Sequence, residues 1–106
     1  MNRTEILTNA EKIVNGEREQ QYGTPEDSFN LIAELWSAYL NSISDWGCAL
    51  DVGPVDVANM MILLKIARST AGFTSHADNF IDIAGYAACG GEIATKHFSK
   101  KETNNE

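Results

Sequence analysis

The segment Pro25–Asn41 carries its polar side chains on one stripe, and that stripe is acidic. At 100° per residue, Glu26, Asp27, Asn30, Glu34, Ser37 and Asn41 fall within about 100° of one another on a helix. The remainder is mostly apolar: Phe29, Leu31, Ile32, Ala33, Leu35, Trp36, Ala38, Tyr39 and Leu40. A second segment, Asp78–Tyr86, places Asp78, Asn79, Asp82 and Tyr86 on one face. Carboxylates from two such helices repel when they meet inside a bundle, and a divalent cation is the usual reason to bring them together. Glu34, Asp78 and Asp82, with Asn30 and Asn79 as neutral ligands, form the candidate set.

Candidate cations lie elsewhere. Lys65 and Arg68 are three residues apart and share a helix face. They neutralise the dipole at a helix C-terminus or pair with Asp or Glu, or else they bind phosphate oxygens. Arg18 and Tyr22 stand in Glu17-Arg18-Glu19-Gln20-Gln21-Tyr22-Gly23, a stretch read as a polar linker. There Tyr22 anchors a solvated loop, or the two residues clamp a phosphate and stack on a base.

Helices must position these groups. Ile6, Leu7, Ala10, Ile13 and Val14 predict a first helix over about 4–15, stopped by Gly16. Thr24-Pro25-Glu26-Asp27 predicts the start of a second: an N-cap, proline in the first turn, then acids. This helix fades near residues 41–44. Gly53-Pro54 opens a third, ending at Gly72, and Ser75 caps a fourth over about 76–97. The fold class is therefore all-α, a four-helix bundle-like domain over 1–98, with a disordered polar tail over 99–106. The third helix carries apolar residues around its whole axis, from Val55 to Ala67. A chain this short cannot cover such a helix alone, so a homo-oligomer, most simply a dimer, is expected.

Composition narrows the function classes. The 106 residues carry a net charge of -7, which argues against duplex DNA as a partner. No apolar run approaches the ~20 residues of a membrane span, and the first residues lack the apolar core of a signal peptide. Cys48 and Cys89 show no CxxC spacing, so both are expected reduced in a cytoplasmic protein. His76 and His97 are some 30 Å apart on a continuous helix, at ~1.5 Å per residue, and cannot share a metal within a chain. No Gly-rich phosphate loop is present. Gly85, Gly90 and Gly91 fall within a helix, where they serve close helix–helix approach.

Four stretches carry a resemblance: Arg18–Pro25, Ile32–Trp36, Asp56–Arg68 and Asp78–Tyr86. Together they resemble a family of small phage and prophage proteins of uncharacterised function, over roughly residues 17–88. More distantly, the chain is similar to MazG-like all-α nucleoside triphosphate pyrophosphohydrolases. In those enzymes a Glu-Glu-x-x-Glu helix and a later Glu-x-x-Asp helix hold magnesium against the triphosphate. Glu26-Asp27-Ser28-Phe29-Asn30 resembles the first motif and Asn79-Phe80-Ile81-Asp82 the second. Asparagine stands in for a carboxylate in each, which lowers the charge offered to a metal. Glu34, one turn beyond Asn30, replaces the lost acid.

The resemblance implies a phage-type nucleotide-binding protein that hydrolyses a nucleoside triphosphate with Mg²⁺. Glu34 and Asp82 would be catalytic. Mg²⁺ would be held by Glu34, Asp78, Asp82, Asn30 and Asn79. Arg18, Lys65, Arg68 and Tyr86 would meet the ligand, with Tyr22 or Trp36 against the base. The rival expectation is a non-enzymatic accessory protein that sequesters a nucleotide signal or inhibits a host protein. A third is a buried network in which acids and cations neutralise one another.

Overall fold

The computed structural model of the chain describes residues 1–45, 47–71 and 76–105, with Glu17 and residues 97–105 described by backbone alone. Five helices account for most of these residues: α1 Arg3–Asn15, α2 Glu17–Tyr22, α3 Pro25–Ile43, α4 Pro54–Thr70 and α5 Ala77–Asn105. The described residues contain no strand, so the expected all-α class holds. None of their helices is long and apolar enough to cross a membrane.

The start signals act as local chemistry requires. Asn2 Oδ1 accepts from Glu5 N–H (2.8 Å) at the start of α1, and Thr24 Oγ1 accepts from Asp27 N–H (3.3 Å) at the start of α3. At α4, Asp56 Oδ2 reaches back to accept from Gly53 N–H (2.9 Å). Ser75, the expected cap of α5, lies outside the described residues, as does Gly72.

One expectation is corrected: residues 17–22 form the helix α2, not a polar linker. Glu, Arg and Gln are good helix formers, and five of them in a row followed by Tyr22 need no apolar face to turn helical between two glycines. Gly23 closes α2 with φ +80°, the left-handed conformation glycine supplies without strain. The backbone of α5 continues to Asn105, so the expected tail over 99–106 falls where no side chains are described.

Three of the helices enclose the main core. Phe29 and Ala33 of α3, Val57 and Ala58 of α4, and Val52 from the connection between them are buried together. Trp36, Leu40, Met61, Tyr86, Cys89 and Ile93 pack partly buried around them. Lying on another face of α5, α1 brings Val14 against Gly85. A Cβ added at Gly85 would stand 3.2 Å from Val14 Cγ1. The four long helices thus do not close around a single core, as a four-helix bundle would. The molecule is flat and open, 45 × 41 × 24 Å, with a radius of gyration of 16.0 Å. A compact chain of this length has about 13 Å.

The connection between α3 and α4 is held by side chains of α3. Asn41 accepts from Leu50 N–H and donates to Leu50 C=O, both at 2.7 Å. Ser37 Oγ accepts from Val52 N–H (2.9 Å) and donates to Val52 C=O (3.3 Å).

Candidate functional site

Antiparallel packing of α4 on α5 sets Lys65 opposite Asp82. Lys65 Nζ lies 2.9 Å from Asp82 Oδ2, and both side chains are only 15 % exposed. Arg18 reaches the other oxygen of the same carboxylate from α2, its Nη2 3.8 Å from Oδ1, and is itself 51 % exposed. One carboxylate therefore faces two cations from two other helices. The tight, desolvated contact is with Lys65, while the longer contact to Arg18 stays open to water.

Other expected residues border this grouping. Arg68 is exposed one turn beyond Lys65 on α4, and no ion pair holds it among the described residues. Asp78, one turn before Asp82 on α5, is also exposed. Tyr22 stands one turn after Arg18 on α2 and is exposed, so the pair lines one face of that short helix. Asn79 is half-buried near the start of α5. The convergence of Arg18 with Lys65 depends on residues 17–22 being helical rather than a linker. The signal was present in the four-residue spacing of Arg18 and Tyr22, once those residues are helical.

Tyr86 and Trp36 belong to the core cluster. The rings of Tyr86 and Phe29 lie 6.1 Å apart between centroids, tilted by 33°, an ordinary aromatic packing contact. Asn30 and Glu34 face solvent on α3.

The acidic stripe of α3 is divided among separate tasks. Ser37 and Asn41 bind the following connection. Glu26 pairs with Lys96 of α5 at 3.1 Å, and Lys96 also holds Glu92 at 2.9 Å. The Glu26 carboxyl is lowered from its ordinary value, first by a backbone hydrogen bond and then by Lys96. Among the described residues no three His, Cys, Asp or Glu side chains gather into a group that could hold a metal ion. Glu34, Asp78 and Asp82 accordingly form no such group within one chain.

A separate cleft of about 410 Å³ opens between α1, α5 and the start of α3, and none of the expected site residues lines it. Cys89 borders it, its thiol pushed up mainly by burial and further by the charges of Glu92, Glu26 and Glu19. A thiol held protonated is a poor nucleophile, in keeping with a packing role. Both cysteines are free, Cys48 at the surface.

Residues 5–94 match the family described as a domain of unknown function, DUF6378, and the chain belongs to that family. It is similar to the Gene 55 protein of Mycobacterium phage D29, 44 % identical over 84 residues, which are 79 % of this chain and 50 % of the relative. It is also similar to the Gene 55 protein of Mycobacterium phage L5, 48 % identical over 83 residues, 77 % of this chain and 47 % of the relative. The chain spans about half the length of these two relatives. No solved structure matches it. The expected resemblance to phage proteins of uncharacterised function holds.

Proposed function

We propose that this member of the DUF6378 family binds a nucleotide or another phosphorylated small molecule where α2, α4 and α5 meet. One observation carries the reading: in a chain of net charge -7, Arg18 and Lys65 converge on the single carboxylate of Asp82. Arg68 extends the cationic side of this grouping by one turn. Guanidinium and ammonium groups both suit phosphate oxygens, and Arg18 and Arg68 stay open to solvent beside this carboxylate. Tyr22 offers an exposed ring one turn from Arg18 on which a base can stack.

The finer reading is a pyrophosphohydrolase like the MazG-like enzymes, using Mg²⁺. The carboxylates of one chain do not fit that ion as they stand, since Glu34, Asp78 and Asp82 do not form a metal-holding group. Asp82 is instead engaged by Lys65. This favours binding without turnover, as in a protein that sequesters a nucleotide signal. Inhibition of a host protein is the reading left if no nucleotide binds.

Thermal melts with a panel of nucleoside mono-, di- and triphosphates, with and without Mg²⁺, test the proposal. A stabilising shift is expected, because a ligand that binds the folded state raises its stability with the ratio of concentration to dissociation constant. Arg68→Lys should melt normally without ligand and shift less with it, because lysine lacks the planar fork. If no phosphorylated ligand shifts the melt, nucleotide binding is wrong. Mg²⁺-dependent release of pyrophosphate from any triphosphate would establish the enzymatic reading over sequestration.

A further inference from the structure

The two cations that meet Asp82 are held differently. Lys65 Nζ sits 2.9 Å from Oδ2, with both side chains mostly buried. Arg18 Nη2 stands 3.8 Å from Oδ1. That is beyond the roughly 2.7–3.2 Å of an N–H···O hydrogen bond, so the guanidinium engages Asp82 through charge alone. Half of the Arg18 side chain is open to water, where an ion pair is weak.

The helix that carries Arg18 is itself loosely attached. Every residue from Arg18 to Tyr22 is exposed. The contact to Asp82 is the one ion pair of α2 among the described residues. Glycine bounds the helix on both sides. A Cβ at Gly16 would stand 2.7 Å from the carbonyl oxygen of Lys12, and Gly23 has φ +80°, so each turn depends on its glycine. A small shift of α2 therefore unpacks no buried side chain among residues 18–22.

We propose that Asp82 is a built-in competitor, which occupies Arg18 until a terminal phosphate group of the ligand displaces it. The inference rests on the phosphate-binding reading above and narrows its ligand class. A phosphate monoester at neutral pH carries a charge of about -1.5 to -2 on three acceptor oxygens. It pairs with a guanidinium through two hydrogen bonds of about 2.7–2.9 Å. The exchange replaces one long contact by two short ones. A ligand carboxylate offers only the group that Asp82 already presents, tethered beside Arg18 at high effective concentration. The site therefore selects a terminal phosphate over a carboxylate. Lys65, the buried partner, stays with Asp82, while Arg18 moves and α2 carries Tyr22 with it.

Calorimetric titration with inorganic pyrophosphate in metal-free buffer tests the exchange on the wild-type chain, Asp82→Asn and Arg18→Ala. Pyrophosphate has no base, so stacking on Tyr22 does not enter. Asparagine keeps the shape of the side chain and removes the charge that competes for Arg18. Asp82→Asn should bind pyrophosphate about three- to tenfold tighter than the wild type, through loss of the competing pair and of repulsion between carboxylate and phosphate. Arg18→Ala should bind at least about tenfold more weakly. Succinate, a dianion without phosphate, should bind the wild type far more weakly than pyrophosphate does. Binding by Asp82→Asn alone also supports the inference. Equal or weaker binding by a folded Asp82→Asn overturns the inference, while wild-type binding keeps the phosphate reading. Absence of binding by both overturns the two together, and succinate bound as tightly as pyrophosphate overturns the selectivity. Should Asp82→Asn not fold, nuclear magnetic resonance of the wild-type chain decides. Saturating pyrophosphate should move the Arg18 Nε–Hε and Asp82 carboxyl signals, and an unmoved Asp82 signal overturns the exchange.

Discussion

Gly90 of α5 faces Ala58 of α4 so closely that a Cβ built on Gly90 would stand 2.8 Å from the Cβ of Ala58. Real Cβ atoms do not approach to that distance, so the two helices are as near as they are because residue 90 has no side chain. Its neighbour Gly91 has nothing within 4 Å of the same position. The two adjacent glycines therefore predict opposite outcomes. Gly90→Ala should destabilise the fold by about 1–3 kcal/mol through overpacking. Gly91→Ala should stabilise it, by up to about 1 kcal/mol, through helix propensity. Urea denaturation of both variants checks the pair.

Lys65 and Asp82 should be energetically coupled. Lys65→Met leaves the mostly buried Asp82 only its long contact to Arg18, and Asp82→Asn takes the charged partner from the mostly buried Lys65. Each should cost about 1–3 kcal/mol, below the 3–5 of a fully buried pair because both groups keep some contact with water. The double variant should lose less than the sum of the two, a non-additivity that a double-mutant cycle reads directly. Arg18→Ala should cost under about 1 kcal/mol, because that contact is long and open to solvent.

The bridge from Glu26 to Lys96 joins residues seventy apart in sequence. Glu26 titrates below its ordinary value, so its contribution is present above the usual glutamate range and fades as the pH falls through the lowered value. Lys96 titrates above its ordinary value, held up by Glu92 and then Glu26. Its contribution is present below the usual lysine range and fades as the pH rises through the raised value. The melting difference between the wild-type chain and Lys96→Met should therefore be flat across neutral pH and shrink at both extremes. A difference that peaks in acid would contradict this assignment.

Ser37→Ala and Asn41→Ala should each destabilise the chain by about 1–2 kcal/mol, because each strips hydrogen bonds from one residue of the α3–α4 connection. Asn41→Asp keeps the acceptor for Leu50 N–H but loses the donor for Leu50 C=O, and should fall between Ala and wild type. Amide exchange at Leu50 and Val52 should rise in step.

What was legible in the sequence follows from how local each signal is. Thr24-Pro25 and Gly53-Pro54 with Asp56 carry their own caps, and both helices begin where those residues place them. Residues 17–22 lack an apolar periodicity, so their helix went unread, and with it the approach of Arg18 to Asp82. Periodicity alone also cannot say what a polar stripe faces. Ser37, Asn41 and Glu26 lie on the same side of α3 and meet three different partners, two in a connection and one on a distant helix. The apolar surround of α4 was plain, yet only Val57 and Ala58 of that helix are buried. A one-chain sequence pattern marks a surface as apolar but does not count the chains available to cover it.

The way α3 grips residues 50 and 52 has a metric consequence. Asn41 and Ser37 each satisfy both the N–H and the C=O of one residue, as an antiparallel neighbour does in a sheet. Four residues of helix advance about 6.0 Å, and two residues of extended chain about 6.6–6.8 Å. The two repeats agree over a single step and then drift apart, so a helix can offer an extended chain two such rungs and hardly a third. The second rung falls at Val52, one residue before Gly53 opens α4. The pair of rungs thus works as a vernier: it sets how far along α3 the next helix begins, and through that which turn of α4 carries Lys65 to the height of Asp82.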